Sequence, residues 1–311
     1  MKLEFAGLSD VGKVRRKNED DFGYLENEGV SLVCDGMGGH NGGAYASDVA
    51  VNTILDIYQQ PINDLIEKIA SDLDSSYRRK AIKAVCSIRL ANRHIFETAA
   101  ANMEFSGMGT TAALIGFENG YAVLAHVGDS RIYRLRDRVL QQLTEDHSWL
   151  NELIADKEIA KEDAHHFKKK NVITRALGMS DRIKIDLRIE PVLSEDIFLL
   201  CTDGLSNSLN DDLIQAIIVK NQDSMEKAAE HLIEMANKAD GSDNITVALT
   251  RVLDAGNSPN NFKPLAVTIN EESPKISALE IKYFKKKALT PMFKSQNRFI
   301  DFFKFKIFQK P

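Results

Sequence analysis

Five acidic residues in this chain stand where an apolar run ends or is about to begin. Asp35 follows Leu32-Val33-Cys34, Asp203 follows Leu199-Leu200-Cys201-Thr202, and Asp129 follows Ala125-His126-Val127-Gly128. Asp20 closes Asn18-Glu19-Asp20, and Asp243 lies in Ser242-Asp243-Asn244, just before the last β-rich run. An ionised carboxylate beside buried apolar chain is costly unless it is paired or metal-bound. The partner is then arginine or a cation, and a set of hard oxygen donors suits Mg²⁺ or Mn²⁺. Asp-Gly is also an ordinary turn dipeptide, which accounts for any one of these acids. It does not account for five, each beside a strand.

Other chemistries fit less well. The glycine-rich stretch 36–43 lacks the Gly-Lys-Ser/Thr ending of a phosphate-binding loop and misses the Gly-x-Gly-x-x-Gly spacing, so nucleotide binding is not supported. Its glycines suit backbone passing close to metals. His126, His147, His165 and His166 lack the cysteine partners and spacing of a zinc site and read as structural or exposed. Cys34 and Cys201, on strands beside two of the acids, read as buried inert thiols.

The elements that must position these groups are legible from hydrophobic periodicity. Strands are expected at Phe5–Ser9, Val30–Cys34, Thr110–Phe117, Tyr121–Val127, Arg131–Leu135, Ile197–Cys201 and Asn244–Leu253. Asn119-Gly120 signals a hairpin, and Gly128-Asp129-Ser130 reads as a turn. Helical spacing runs through Ala44–Tyr58, about Leu73 to Asn102, Trp149–Ile159, Asp211–Val219 and Met225–Ala239. Strictly alternating βαβ units are absent. The expected fold class is therefore α+β, with antiparallel sheets packed together and helices outside. The polar, lysine-rich stretch 144–182 reads as a functional loop.

With 311 residues, the chain suits one large domain or two small ones, and 43% apolar with 27% charged residues is ordinary for a globular protein. No uninterrupted apolar stretch of roughly 18 residues suggests a membrane-spanning helix. The first ten residues lack the layout of a secretory signal. Three cysteines argue against a disulfide framework and for a reducing, cytoplasmic setting. The overall charge of −5 is uneven: from Gly256 onward eleven Lys and Arg face four Asp and Glu, a net of +7, leaving −12 on residues 1–255. So acidic a body is poorly suited to nucleic acid. The tail holds eight of the fifteen phenylalanines among its lysines. It is expected to contact an acidic membrane surface or a partner protein, which would make the chain peripheral to the membrane.

Seven segments, in order over roughly residues 1–253, resemble the metal-dependent protein phosphatase family, the type 2C serine/threonine phosphatases. They are Val14-Arg15-Arg16-Lys17-Asn18-Glu19-Asp20, Val33-Cys34-Asp35-Gly36-Met37-Gly38-Gly39, Gly109-Thr110-Thr111, Gly128-Asp129-Ser130-Arg131, Thr174-Arg175-Ala176-Leu177-Gly178, Cys201-Thr202-Asp203-Gly204 and Ser242-Asp243-Asn244-Ile245-Thr246. Asp-Gly-Met-Gly-Gly, where many eukaryotic members have Asp-Gly-His-Gly-Gly, marks the bacterial form.

The resemblance implies a central sandwich of two antiparallel β-sheets flanked by α-helices, with a catalytic domain over 1–254, a flap at about 144–182, and a basic, Phe-rich tail over 255–311. It implies two Mn²⁺ or Mg²⁺ ions, with a weaker third site, and hydrolysis of phosphoserine and phosphothreonine by a hydroxide bridging two ions. Carried over by position, Asp35 bridges the ions, the Gly36 carbonyl binds one, and Asp203 and Asp243 complete the first site. Asp20 and Glu19 act at or near it, mostly through coordinated waters, Asp129 shares the third ion with Asp203, and Arg15 grips the substrate phosphate. Met37 cannot replace the histidine taken to protonate the leaving group, and His40 is a weak substitute. The implied partners are phosphorylated proteins and an opposing serine/threonine kinase, and a monomer is expected. A non-catalytic phosphoprotein sensor would lack metal acids that are present here. The motifs alone do not exclude a small phosphorylated metabolite as substrate.

Overall fold

The computed structural model describes residues 1–39, 41–61, 78–118, 120–156, 172–256 and 264–269. Its strands are β1 (Lys2–Asp10), β2 (Asp20–Leu25), β3 (Val30–Met37), β4 (Gly109–Thr110), β5 (Ala112–Glu118), β6 (Tyr121–Val127), β7 (Arg131–Arg136), β8 (Val139–Gln142), β9 (Ile185–Pro191), β10 (Ile197–Cys201), β11 (Ile245–Asp254) and β12 (Leu265–Ile269). The helices are α1 (Gly42–Gln59), α2 (Arg78–Ala101), α3 (Trp149–Ala155), α4 (Asp203–Ser208), α5 (Asp211–Lys220) and α6 (Met225–Ala239).

The central strands are apolar on both faces because each face meets a different core. Along β5, Ala112 and Leu114 pack beneath α1 and α2, while Ala113, Ile115 and Phe117 point into the space between the sheets. Along β10, Ile197, Leu199 and Cys201 pack beneath α5 and α6, while Phe198 and Leu200 point inward. A period of two with both sets buried reads in sequence as an unbroken apolar run. Phe117 and Phe198 meet edge-on across the inner layer, with ring centroids 5.3 Å apart.

One sheet has the order β1-β11-β10-β7-β8 and the other β12-β9-β6-β5-β3-β2, with β4 also paired to β3. Every pairing is antiparallel. The described residues thus build the helix–sheet–sheet–helix sandwich expected from the sequence. The outer helices follow their amphipathic pattern. In α6, Met225, Ala228, Ala229, Leu232, Ile233 and Ala236 face the sheet, and the Ser224 hydroxyl accepts from the Lys227 amide as an N-cap.

Several elements were not read from the sequence. β2 opens with two acids and forms at a sheet edge, where Asp20 lies opposite Asp35. β9 alternates Ile185, Leu187 and Ile189, facing the α1 and α2 side, with Asp186, Arg188 and Glu190, a legible strand pattern. β8 and α4 are short, and β12 follows a stretch that looks like a linker. Gly128-Asp129-Ser130 does turn, but it carries the chain from one sheet to the other instead of closing a hairpin. The early part of the predicted 73–102 helix and the end of the 149–159 helix lie outside the described residues.

Candidate active site

The five acids converge at one end of the sandwich, each delivered by a different element. Asp35 ends the apolar part of β3, with Asp20 of β2 directly opposite in the ladder. Asp203 is the first residue of α4, immediately after β10. Asp129 lies in the crossing between β6 and β7, and Asp243 precedes β11. The charges of Asp20, Asp203, Asp129 and Asp243 all act on Asp35. Its carboxyl is also within hydrogen-bonding reach of Asp203.

Backbone close approach makes the convergence possible. The Gly36 amide donates to the Glu19 carbonyl at 3.1 Å, and a Cβ on Gly36 would lie 2.2 Å from the Gly43 carbonyl and 2.4 Å from that of Glu19. A Cβ on Gly204 would lie 1.9 Å from the Asn244 carbonyl. Only glycine fits at either crossing. The Glu19 carboxylate sits against Gly43, in the first turn of α1.

Hydroxyl and amide side chains that the motif reading left without a role brace the acids. Thr202 and Thr246 both donate to Asp20 Oδ2, at 2.8 and 2.7 Å. Thr202 stands at the N-cap position of α4, yet its hydroxyl serves Asp20 and accepts from the Thr246 amide instead of capping the helix. Thr111 Oγ1 accepts from the Asp35 amide at 2.9 Å and lies 2.6 Å from the Ser130 hydroxyl, tying β3 to the Asp129 crossing. Asn244 accepts from the Glu19 amide and donates to the Val11 and Lys17 carbonyls, closing the 11–19 loop onto the site. Thr202, Ser130 and Asn244 adjoin an acid in the sequence, whereas Thr111 and Thr246 carry no such local signal.

Burial and neighbouring charge push the carboxyls of Asp20, Asp35, Asp129 and Asp203 upward. Asp20 rises to about 7, from burial first, against the two threonine hydrogen bonds and with the charges of Asp203 and Asp243 adding. Asp129 also rises to about 7, from burial and then Asp203. Asp35 is raised well above the usual carboxylate range, and Asp203 is raised by burial and Asp243, partly offset by Arg15. Oδ1 of Asp129 is buried with no hydrogen-bond partner. Hard oxygen donors, anions held together at a cost, and an orphaned carboxylate oxygen are what a divalent-cation site presents.

Arg15 stands at the rim, half exposed, with Nη2 donating to Asp243 Oδ2 at 2.9 Å. Lys17 donates to Asn41, and Met37 pairs with Gly109 across β3 and β4. His40 lies outside the described residues. Cys34 and Cys201 are buried beside the acids, and burial raises both thiols, Cys201 to about 12. They are unreactive as thiols at neutral pH.

A second polar cluster, His126, His147 and Asp186, brings three possible ligand atoms within 4.8 Å of one another. Its hydrogen bonds argue against a metal. His147 Nδ1 accepts from the Gly128 amide at 3.0 Å, which leaves Nε2 to donate to Asp186 Oδ2 at 3.1 Å, with the cationic Arg175 Nη1 also 3.1 Å from Nε2. Binding a cation through Nε2 would require an imidazolate. His126, lowered to about 4 by burial and then by His147, donates from Nε2 to the Glu145 carbonyl.

A two-sheet sandwich with an oxygen-only acidic centre between its loops defines a class of metal-dependent hydrolase folds. The family model for protein phosphatase 2C matches residues 13–253, and the chain belongs to that family. Within it, the relatives are bacterial serine/threonine phosphatases, and the chain is a protein serine/threonine phosphatase of that kind. It is 38% identical over 252 residues to the serine/threonine phosphatase stp of Listeria monocytogenes, covering 80% of this chain and 95% of the relative. The structure of the serine/threonine phosphatase PstP/Ppp of Mycobacterium tuberculosis is similar at a TM-score of 0.71 and 30% identity, over 82% of this chain and all of that one. A PstP catalytic domain solved in complex with two manganese ions is similar at a TM-score of 0.66 and 31% identity, over 81% of this chain and 99% of that one.

Proposed function

We propose that this phosphatase removes phosphate from phosphoserine and phosphothreonine in proteins with two Mn²⁺ or Mg²⁺ ions held in the acidic cleft and a weaker third beside them. The observation that carries the reading is the convergence of Asp20, Asp129, Asp203 and Asp243 on Asp35, with the carboxyls of Asp20, Asp35, Asp129 and Asp203 raised by burial and neighbouring charge. Asp35, the Gly36 carbonyl, Asp203 and Asp243 would hold the two principal ions, Asp20 and Glu19 would act at or near them, and Asp129 with Asp203 would hold the third. When bound, such cations supply Lewis-acid charge that activates water and neutralises the phosphate. The manganese-containing relative supports this choice of group.

The chain's own residues supply position. The two threonines hold Asp20 through Oδ2, and Thr111 fixes the Asp35 backbone. Arg15, anchored by Asp243 but still half exposed, offers a planar fork for phosphate oxygens at the rim. Met37 offers no proton to the leaving group. Residues 1–254 form the catalytic part, residues at about 144–182 influence substrate choice, and the basic tail over 255–311 recruits the enzyme to an acidic surface. We place it in the cytoplasm, opposing a serine/threonine kinase. Among the described residues no helix is long and apolar enough to cross a membrane.

The deciding experiment is phosphate release from a phosphothreonine peptide with Mn²⁺, with EDTA, and with Asp203→Asn in Mn²⁺. Activity is expected in the first case and near-complete loss in the other two. Full activity in EDTA would reject the reading.

A further inference from the structure

β12 lies beyond the residues that the family model matches, yet it is hydrogen-bonded to β9 as an added edge strand, Leu265 opposite Ile189 and Ile269 opposite Ile185. In this register Thr268 stands directly opposite Asp186, and Asp186 directly opposite His126 on β6. The Thr268 hydroxyl donates to Asp186 Oδ1 at 2.8 Å. Asp186 receives two more hydrogen bonds, from His147 Nε2 on Oδ2 and from Arg175 Nη1 on Oδ1 at 3.2 Å. Burial works to raise the Asp186 carboxyl, but the hydrogen bonds from His147 and Thr268 outweigh it and hold it below the usual range.

His147 and Arg175 stand near the two ends of the 144–182 insertion, and the chain is closed between them. The Thr174 amide donates to the His147 carbonyl at 2.9 Å, and the Trp149 amide to the Val172 carbonyl at 2.8 Å. His147 also grips Gly128 twice: its amide donates to the Gly128 carbonyl at 2.9 Å, and its Nδ1 accepts from the Gly128 amide. Gly128 has φ +109, and a Cβ there would lie 2.6 Å from the Thr111 side chain, so this backbone has little room to adjust. The next residue is Asp129.

We propose that Thr268 is a positioning residue for the loop that carries Asp129, acting through Asp186 and His147. A hydrogen bond from an exposed strand of five residues thereby fixes an acid of the cleft, together with the base of the insertion. Without the hydroxyl, Asp186 keeps Arg175 on Oδ1 and His147 on Oδ2, and the carboxylate that orients His147 is held by one hydrogen bond fewer. The link to catalysis rests on the role given to Asp129 under the proposed function; the link between Thr268 and the loop does not.

The test uses the full chain with Thr268→Val, which keeps the shape and removes the hydroxyl, and Thr268→Ser, which keeps the hydroxyl. Amide hydrogen exchange at Gly128, His147 and Thr174 is read beside kcat/KM for a phosphothreonine peptide across a Mn²⁺ titration. In Thr268→Val the three amides should exchange about five-fold faster, the scale set by one net hydrogen bond, and kcat/KM should fall by a similar factor at low Mn²⁺. Thr268→Ser should match the parent in both. Unchanged exchange at all three amides in Thr268→Val, or failure of Thr268→Ser to restore it, overturns the proposal. Faster exchange with an unaltered Mn²⁺ dependence supports the positioning and counts instead against the role given to Asp129.

Discussion

Asp35 illustrates how much of the site depends on single polar atoms. Its backbone is held by Thr110 and Thr111, and its carboxyl faces four other acids. Asp203→Asn is expected to lower phosphate release at least about 100-fold with Mn²⁺ present, because it removes charge at the centre of the cleft. Arg15→Ala should instead raise KM about ten-fold with a smaller change in kcat, the pattern of a lost charge-assisted contact to substrate. The raised acids also set a pH dependence for metal-free protein. Asp20 and Asp129 move from the ordinary 3.8 to about 7, so the folded chain binds more protons than the unfolded chain throughout that window. The associated stability is present below about pH 4 and is lost as the pH rises through 7. Melting curves in EDTA should therefore fall from pH 5 to pH 8, and Mn²⁺ should raise Tm more at pH 8 than at pH 5.

At the scale of elements, the site is a product of crossings that tolerate no side chain. Gly204→Ala places a methyl against the Asn244 carbonyl, forcing α4 and the 243–244 loop apart. The cost is expected to be about 1–3 kcal/mol in denaturant unfolding, with loss of activity in the protein that still folds. Ser224→Ala is the contrasting case. It removes the N-cap of α6, on the outer face of the five-stranded sheet, and should cost about 1 kcal/mol with kcat and KM unchanged. Equal loss of activity in both variants would mean that stability, and not the crossing, limits turnover. The elements themselves were legible to different degrees for the same physical reason. α6 announces itself by one helical period and β10 by an unbroken apolar run, whereas β2 begins with Asp20 and Asp21 and is a strand only because β3 pairs with it.

Over the whole molecule, an acidic catalytic body is joined to a basic tail, eleven cations to four anions from Gly256 onward. A chain ending at Ile269 keeps β12 and is expected to hydrolyse p-nitrophenyl phosphate at the parent rate while losing sedimentation with phosphatidylserine vesicles at low salt. Retained sedimentation would remove the tail's proposed role. Order and residue type along the chain determined the family, the five acids, the layered fold and the charge asymmetry, since acids at the ends of apolar runs and periodic burial are local patterns. What only the tertiary structure decided is which groups meet: Thr202 and Thr246 on Asp20, Asn244 under Glu19, and Thr268 on Asp186. These partners lie far apart along the chain, and their pairing depends on strand register and sheet order, which the spacing of side chains on a single strand does not encode.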